Sequence, residues 1–122
     1  MKLIIDGARQ IHDVQKDFNE AYPYLKIEFF KQGNKKAIQP SAKNILNHSL
    51  TIDDARRLHN NGRLEIKDAM KVGELEYEFK EQYGLNVQVF RKSGNIWLET
   101  TMTDDWTLKQ QNDHGREIST SF

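Results

Sequence analysis

Cysteine is missing from this chain of 122 residues. Its absence excludes both a disulfide framework and a thiolate zinc site, and it suits the cytoplasm, the expected compartment. Proline occurs only twice and glycine seven times. The glycines build no phosphate-cradling loop: the Asp6-Gly7 step has one where such loops need several. No apolar stretch approaches the roughly 20 residues of a membrane span. The start, "MKLIIDGARQ", has an apolar run of only three residues, too short for a signal peptide. No membrane partner is expected.

An excess of either charge is also missing. Lysine plus arginine number 18 and aspartate plus glutamate 18. A nucleic-acid binder needs a basic footprint, so the balance disfavours that partner. The distribution is less even than the sum: Lys31, Lys35, Lys36 and Lys43 fall in a stretch without an acid, while Glu99, Asp104, Asp105, Asp113 and Glu117 crowd the C-terminal end. Motifs for chemistry are scarce. No serine sits in a Gly-x-Ser-x-Gly turn, no His-x-x-x-His pair exists, and His12, His48, His59 and His114 are scattered.

What the chain does have is repetition. "TIDDARRLHNNGRLEI" (51–66) is echoed by "TDDWTLKQQNDHGREI" (103–118). Upstream, Ile5, Ala8, Ile11, Val14, Phe18 and Tyr22 match Ile66, Ala69, Val72, Leu75, Phe79 and Tyr83. Leu25, Ile27, Phe29, Phe30 and Lys31 match Leu85, Val87, Val89, Phe90 and Arg91. The chain reads as two divergent copies of a unit of about 60 residues. In each, apolar residues at three-to-four spacing predict an amphipathic helix. Pro23 and Gly84 stop these helices, and period-two alternation then predicts a strand. "KSGN" (92–95) predicts a hairpin in the second copy, with Ser93-Gly94 as its turn, Phe90 opposite Trp97 and Val89 opposite Leu98. Thr51 and Thr103 are expected to cap short helices whose first turns hold Asp53-Asp54 and Asp104-Asp105, with Gly62 and Gly115 ending them.

The expected fold is α+β: a single domain, residues 1–122, of two strand–helix–strand–strand–helix repeats (about 2–61 and 62–115) related by a pseudo-twofold. The sheet is mostly antiparallel with helices on one face. The tail 116–122 adds a strand or frays.

The leading expectation for function is binding without chemistry, with a protein partner or a second copy of the chain, through the open sheet face. Phe30, Phe90 and Trp97 would form that surface together with Arg91, because exposed apolar patches mark contacts. Lys35 and Lys36 could add an electrostatic hook, extended by Arg56, Arg57 and Arg63 if they lie close. The alternative is a weak nucleic-acid binder using the 31–43 lysines and the same aromatics. The least favoured reading is an enzyme or metal site at Asp104, Asp105 and His114; capping explains the aspartates without it. No cofactor and no metal are expected.

Overall fold

The computed structural model describes residues 1–31 and 42–120; Lys35 and Lys36 lie outside the described residues. In chain order the elements are β1 (Lys2–Ile5), α1 (Ile11–Ala21), β2 (Leu25–Phe30), β3 (Gly62–Glu65), α2 (Val72–Tyr83), β4 (Asn86–Ser93), β5 (Ile96–Glu99) and α3 (Leu108–Thr120). Single 3₁₀ turns occupy Ala42–Asn44, Asp53–Ala55 and Thr101–Thr103. The fold is α+β with two antiparallel sheets, β1–β3 and β2–β4–β5.

The helices form where the apolar stripes lie. Ile11, Val14 and Phe18 bury one face of α1; Val72, Leu75, Phe79 and Tyr83 bury one face of α2. At the start of α1 the Asp13 carboxylate accepts the Gln10 N–H at 3.2 Å. Gly84 ends α2 with φ 65°, where any side chain would be strained. Its N–H donates to Lys80 and the N–H of Leu85 to Phe79, which satisfies the last carbonyls of the helix. These stripes meet the alternate residues Leu25, Ile27 and Phe29 of β2 and Val89 of β4, and the core closes with Leu3, Ile5, Leu64 and Ile66.

Both ladders have a register that relates the two halves. Leu3 pairs with Leu64 and Glu28 with Gln88. These are positions that the sequence echo sets side by side. The loop hydrogen bonds repeat as well. Ile11 N–H to Leu50 O and Ile52 N–H to Arg9 O have counterparts in Val72 to Trp106 and Leu108 to Met70. Asp53 to Gly7 recurs as Lys109 to Asp68. The reciprocal cap of Thr51 and Asp54 recurs as Thr107 and Gln110.

Thr107, not Thr103, caps α3, so Asp104 and Asp105 precede that helix and do not occupy its first turn. After Thr51 the expected helix is replaced by the single turn Asp53–Ala55. The chain must then reach β3, and Arg56 leaves the turn in extended conformation (φ −148°, ψ 160°). Gly62 begins β3 opposite Ile5 instead of ending a helix. Gly115 lies inside α3, where the helix approaches the sheet: a Cβ there would stand 3.0 Å from Tyr24 Cβ and 3.2 Å from Lys92 O. Residues 116–120 belong to α3 and not to a strand; residues 121–122 of the expected tail lie outside the described residues.

The hairpin also differs. Its turn is Gly94-Asn95, with Gly94 at φ 62°, so Ser93 pairs with Ile96, Lys92 with Trp97 and Phe90 with Glu99. A left-handed glycine suits the first central position of a two-residue turn, which moves the expected pairing by two residues.

Candidate functional site

Registers decide which side chains share a face. Lys26, Glu28 and Phe30 of β2 lie opposite Phe90, Gln88 and Asn86 of β4, and Phe90 and Lys92 lie opposite Glu99 and Trp97 of β5. Phe30, Phe90 and Trp97 therefore project from the same side of the sheet. The centre of that side is closed. Phe30 is 7% exposed, Glu28 4% and Gln88 7%. Glu28 accepts a hydrogen bond from Gln15 Nε2 at 2.8 Å, and its Oε1 stands 3.0 Å from His48 Nε2. Among the described residues the side opens toward β5. There Lys26 Nζ lies 5.5 Å from the Phe90 ring centre and 5.2 Å from that of Trp97. One ammonium thus joins the two half-buried rings by cation–π attraction. A shallow cleft of about 380 Å³ runs from here along α1, lined in part by Gln15, Asn19, Lys26, Glu28, His48 and Trp97.

Arg91 is not on this surface. It pairs with Leu25 and Leu98 and so faces the other side. Its guanidinium donates to Gln111 Oε1 at 2.8 Å and lies 5.8 Å from the Trp106 ring centre. Burial lowers its pKa. Arg56 is also absent from any basic patch. Its side chain is fully buried, and it donates to Asp53 Oδ1, the Asn60 and Tyr83 carbonyls and Asn61 Oδ1. Asn61 Oδ1 also accepts the Gly7 N–H, so this arginine fastens the 53–61 segment to the turn that follows β1 and to the end of α2.

The acidic C-terminal residues divide among separate roles. The Asp104 carbonyl accepts the Gly73 N–H at 2.8 Å at the start of α2. His114 packs edge-on against Trp106 at 5.5 Å. Asp113 bonds Lys109 at 2.7 Å, a pairing that holds its carboxyl below the usual range. Among the described residues no group of three or more histidine, aspartate or glutamate side chains is arranged to hold a metal. The histidines are likewise dispersed: His48 meets Glu28, and His59 lies 3.0 Å from Asp53.

Two features escape a reading of the sequence. Lys26 is the first; its pairing with Phe90 is implicit in the alternation of both strands but depends on a register only the fold sets. The second is the outer margin. Ile96 is 58% exposed, Leu98 39% and Met102 94%. Strand alternation places Leu98 beneath the helices, but α3 lies against β4 at Gly115 and leaves β5 outside.

Several main-chain groups on the sheet's other free margins are bonded among the described residues. Asn19 Nδ2 donates to Leu25 O and Gln15 Nε2 to Ile27 O, the Leu46 N–H donates to Phe29 O, and on β4 Glu76 accepts the Val89 N–H while Thr100 Oγ1 donates to Val89 O. β5 has no such cover among the described residues. Ser93 and Ile96 close the turn as a hydrogen-bonded pair, so the main-chain groups of Trp97 and Glu99 alternate outward. The Lys92 N–H, opposite Trp97, points the other way to Tyr24 O at 2.9 Å, as this alternation requires.

No helix among the described residues is long and apolar enough to cross a membrane. The chain matches no family model, no curated protein and no solved structure.

Proposed function

We propose that this chain is a non-catalytic interaction module that binds a protein, or another copy of itself, through β5 and the aromatic pair beside it. One observation carries the reading: the outermost strand displays Ile96, Leu98 and, just beyond it, Met102, while its neighbour Trp97 is only half-buried. Isolated exposed apolar residues are ordinary, but a run of them along an edge strand with one free side supports a contact surface. Phe30 and Arg91 drop out of the contact set, one by burial and the other by facing α3. The nucleic-acid reading has less support, because Lys26 already occupies the ring faces on which a base would stack.

Replacing Trp97 by alanine tests the proposal. Proteins retained from a cell extract by the native chain should be lost, and the melting temperature should fall by only a few degrees. Tyr77→Ala, at an exposed aromatic on α2, serves as the control and should retain them. Equal retention by all three chains, with unchanged solution mass, refutes the assignment.

We infer in addition that the two halves descend from one duplicated unit with pseudo-twofold symmetry. The recurring loop hydrogen bonds and the pairing of Leu3 with Leu64 and Glu28 with Gln88 support it. An experimental structure in which residues 3–30 and 64–90 fail to superimpose would end that inference.

A further inference from the structure

We propose that β5 pairs edge to edge, antiparallel, with β5 of a second copy of this chain, Leu98 facing Leu98 across the twofold axis. The inference rests on β5 being the contact surface and names its occupant.

The first argument is the unmet hydrogen-bonding capacity. Trp97 and Glu99 direct their N–H and C=O groups away from β4, and no hydrogen bond to them occurs among the described residues. In contrast, the carbonyls of Leu25, Ile27 and Phe29 on the opposite margin are all bonded. An antiparallel partner strand must present outward groups at the same two-residue spacing. β5 itself does: with Leu98 on the axis, Trp97 of each copy meets Glu99 of the other, and both pairs exchange main-chain bonds.

The second argument is charge. Glu99 is exposed and has no cationic partner among the described residues, while Lys26 rests on the Trp97 ring without a carboxylate partner. The pairing sets Glu99 of one copy directly beside Trp97 of the other, on the same face, and so brings the carboxylate next to that ammonium. On the opposite face the two Leu98 side chains meet, flanked by Ile96 of each copy, which covers the apolar groups left exposed in one chain. Strand addition to an unprotected edge is a common mode of association, and a twofold contact of this kind closes on itself.

The chain has no cysteine, so single cysteines report the geometry cleanly. Facing residues in a non-hydrogen-bonded antiparallel pair have Cα atoms about 4.5 Å apart, within the range a disulfide spans. Under mild oxidation Leu98→Cys should convert to a covalent dimer. Ile96→Cys should not, since its two copies would be offset by four residues, roughly 13 Å along the strand. Glu99→Pro deletes an outward N–H while leaving the β4 ladder intact; sedimentation should show the native chain as a dimer and this variant as a monomer with unchanged circular dichroism. If the native chain dimerises but the Leu98→Cys variant fails to cross-link and Glu99→Pro stays dimeric, the pairing is wrong. If the native chain is monomeric at its highest soluble concentration, the pairing is also wrong; the broader interaction reading then stands or falls on the Trp97→Ala retention experiment alone.

Discussion

Replacing Arg56 by alanine should cost the protein about 3 kcal/mol of stability, a figure assembled at about 1 kcal/mol for each of the hydrogen bonds lost to Asn60, Asn61 and Tyr83. The guanidinium is fully buried and bonds Asp53 Oδ1 at 2.9 Å, Asn60 O at 2.5 Å, Tyr83 O at 3.3 Å and Asn61 Oδ1 at 2.8 Å. Removal strands the buried Tyr83 carbonyl and takes the guanidinium from Asn60 O and Asn61 Oδ1, which lie nearer the surface. Asp53, 42% exposed, turns to water and adds little. Asn61 would then hold the Gly7 N–H without its own anchor. For a chain of this length the loss corresponds to a melting temperature lower by about 10 °C. Urea denaturation and thermal melting followed by circular dichroism measure both. Arg56→Lys should recover little, because a single ammonium cannot reach acceptors on three sides. A loss below about 1 kcal/mol for Arg56→Ala, less than one of these hydrogen bonds should contribute, would refute the staple, and full recovery by lysine would show that charge alone was required.

Other outcomes follow from the same contacts. Burial raises the Glu76 pKa to about 7, against the opposing effect of the Val89 N–H it accepts and with further upward pressure from Asp104. The folded state therefore holds this proton to higher pH than the unfolded chain, so the contribution of Glu76 to stability is fully present below the ordinary carboxylate range and is lost as pH rises through about 7. Glu76→Gln should flatten that decline and stabilise the protein at pH 8 by an amount on the order of 1–3 kcal/mol; parallel pH profiles for the two chains would contradict the assignment. Gly115→Val should separate α3 from β4, since the new Cβ would meet Tyr24 Cβ at 3.0 Å, Arg91 Cγ at 3.1 Å and Lys92 O at 3.2 Å. The expected loss is about 2 kcal/mol by denaturation, and an unchanged midpoint would show that the helix gives way freely.

How much of this is legible beforehand depends on whether a feature is local. The stripe Ile11, Val14, Phe18 and its counterpart Val72, Leu75, Phe79 announce helices because a 3.6-residue period puts them on one face. The alternation after Pro23 and Gly84 announces strands for the analogous reason, and the α+β class follows. Thr51 and Thr107 look alike to their neighbours, yet one begins a single turn and the other a 13-residue helix. The difference lies in what each segment meets. Leu108, Gln111 and Gly115 find the sheet, whereas Arg56 finds the end of α2 and the chain must go on to β3.

The candidate surface divides the same way. That Phe90 and Trp97 share a side is readable from hairpin parity, and a two-residue slip in the turn leaves parity unchanged. Exposure is not readable. Phe30 carries the same alternation signal as Phe90 but is shut in, and Leu98 carries a core signal but stands outside the cover of α3. Sequence by itself determined α1, α2, β2 and β4 and the faces of the helices that are buried, because dihedral preference and side-chain period act within a few residues. Tertiary structure alone decided which strand remained an edge, which arginine became a staple and which carboxylate lost its water, because burial and pairing depend on groups far apart in the chain.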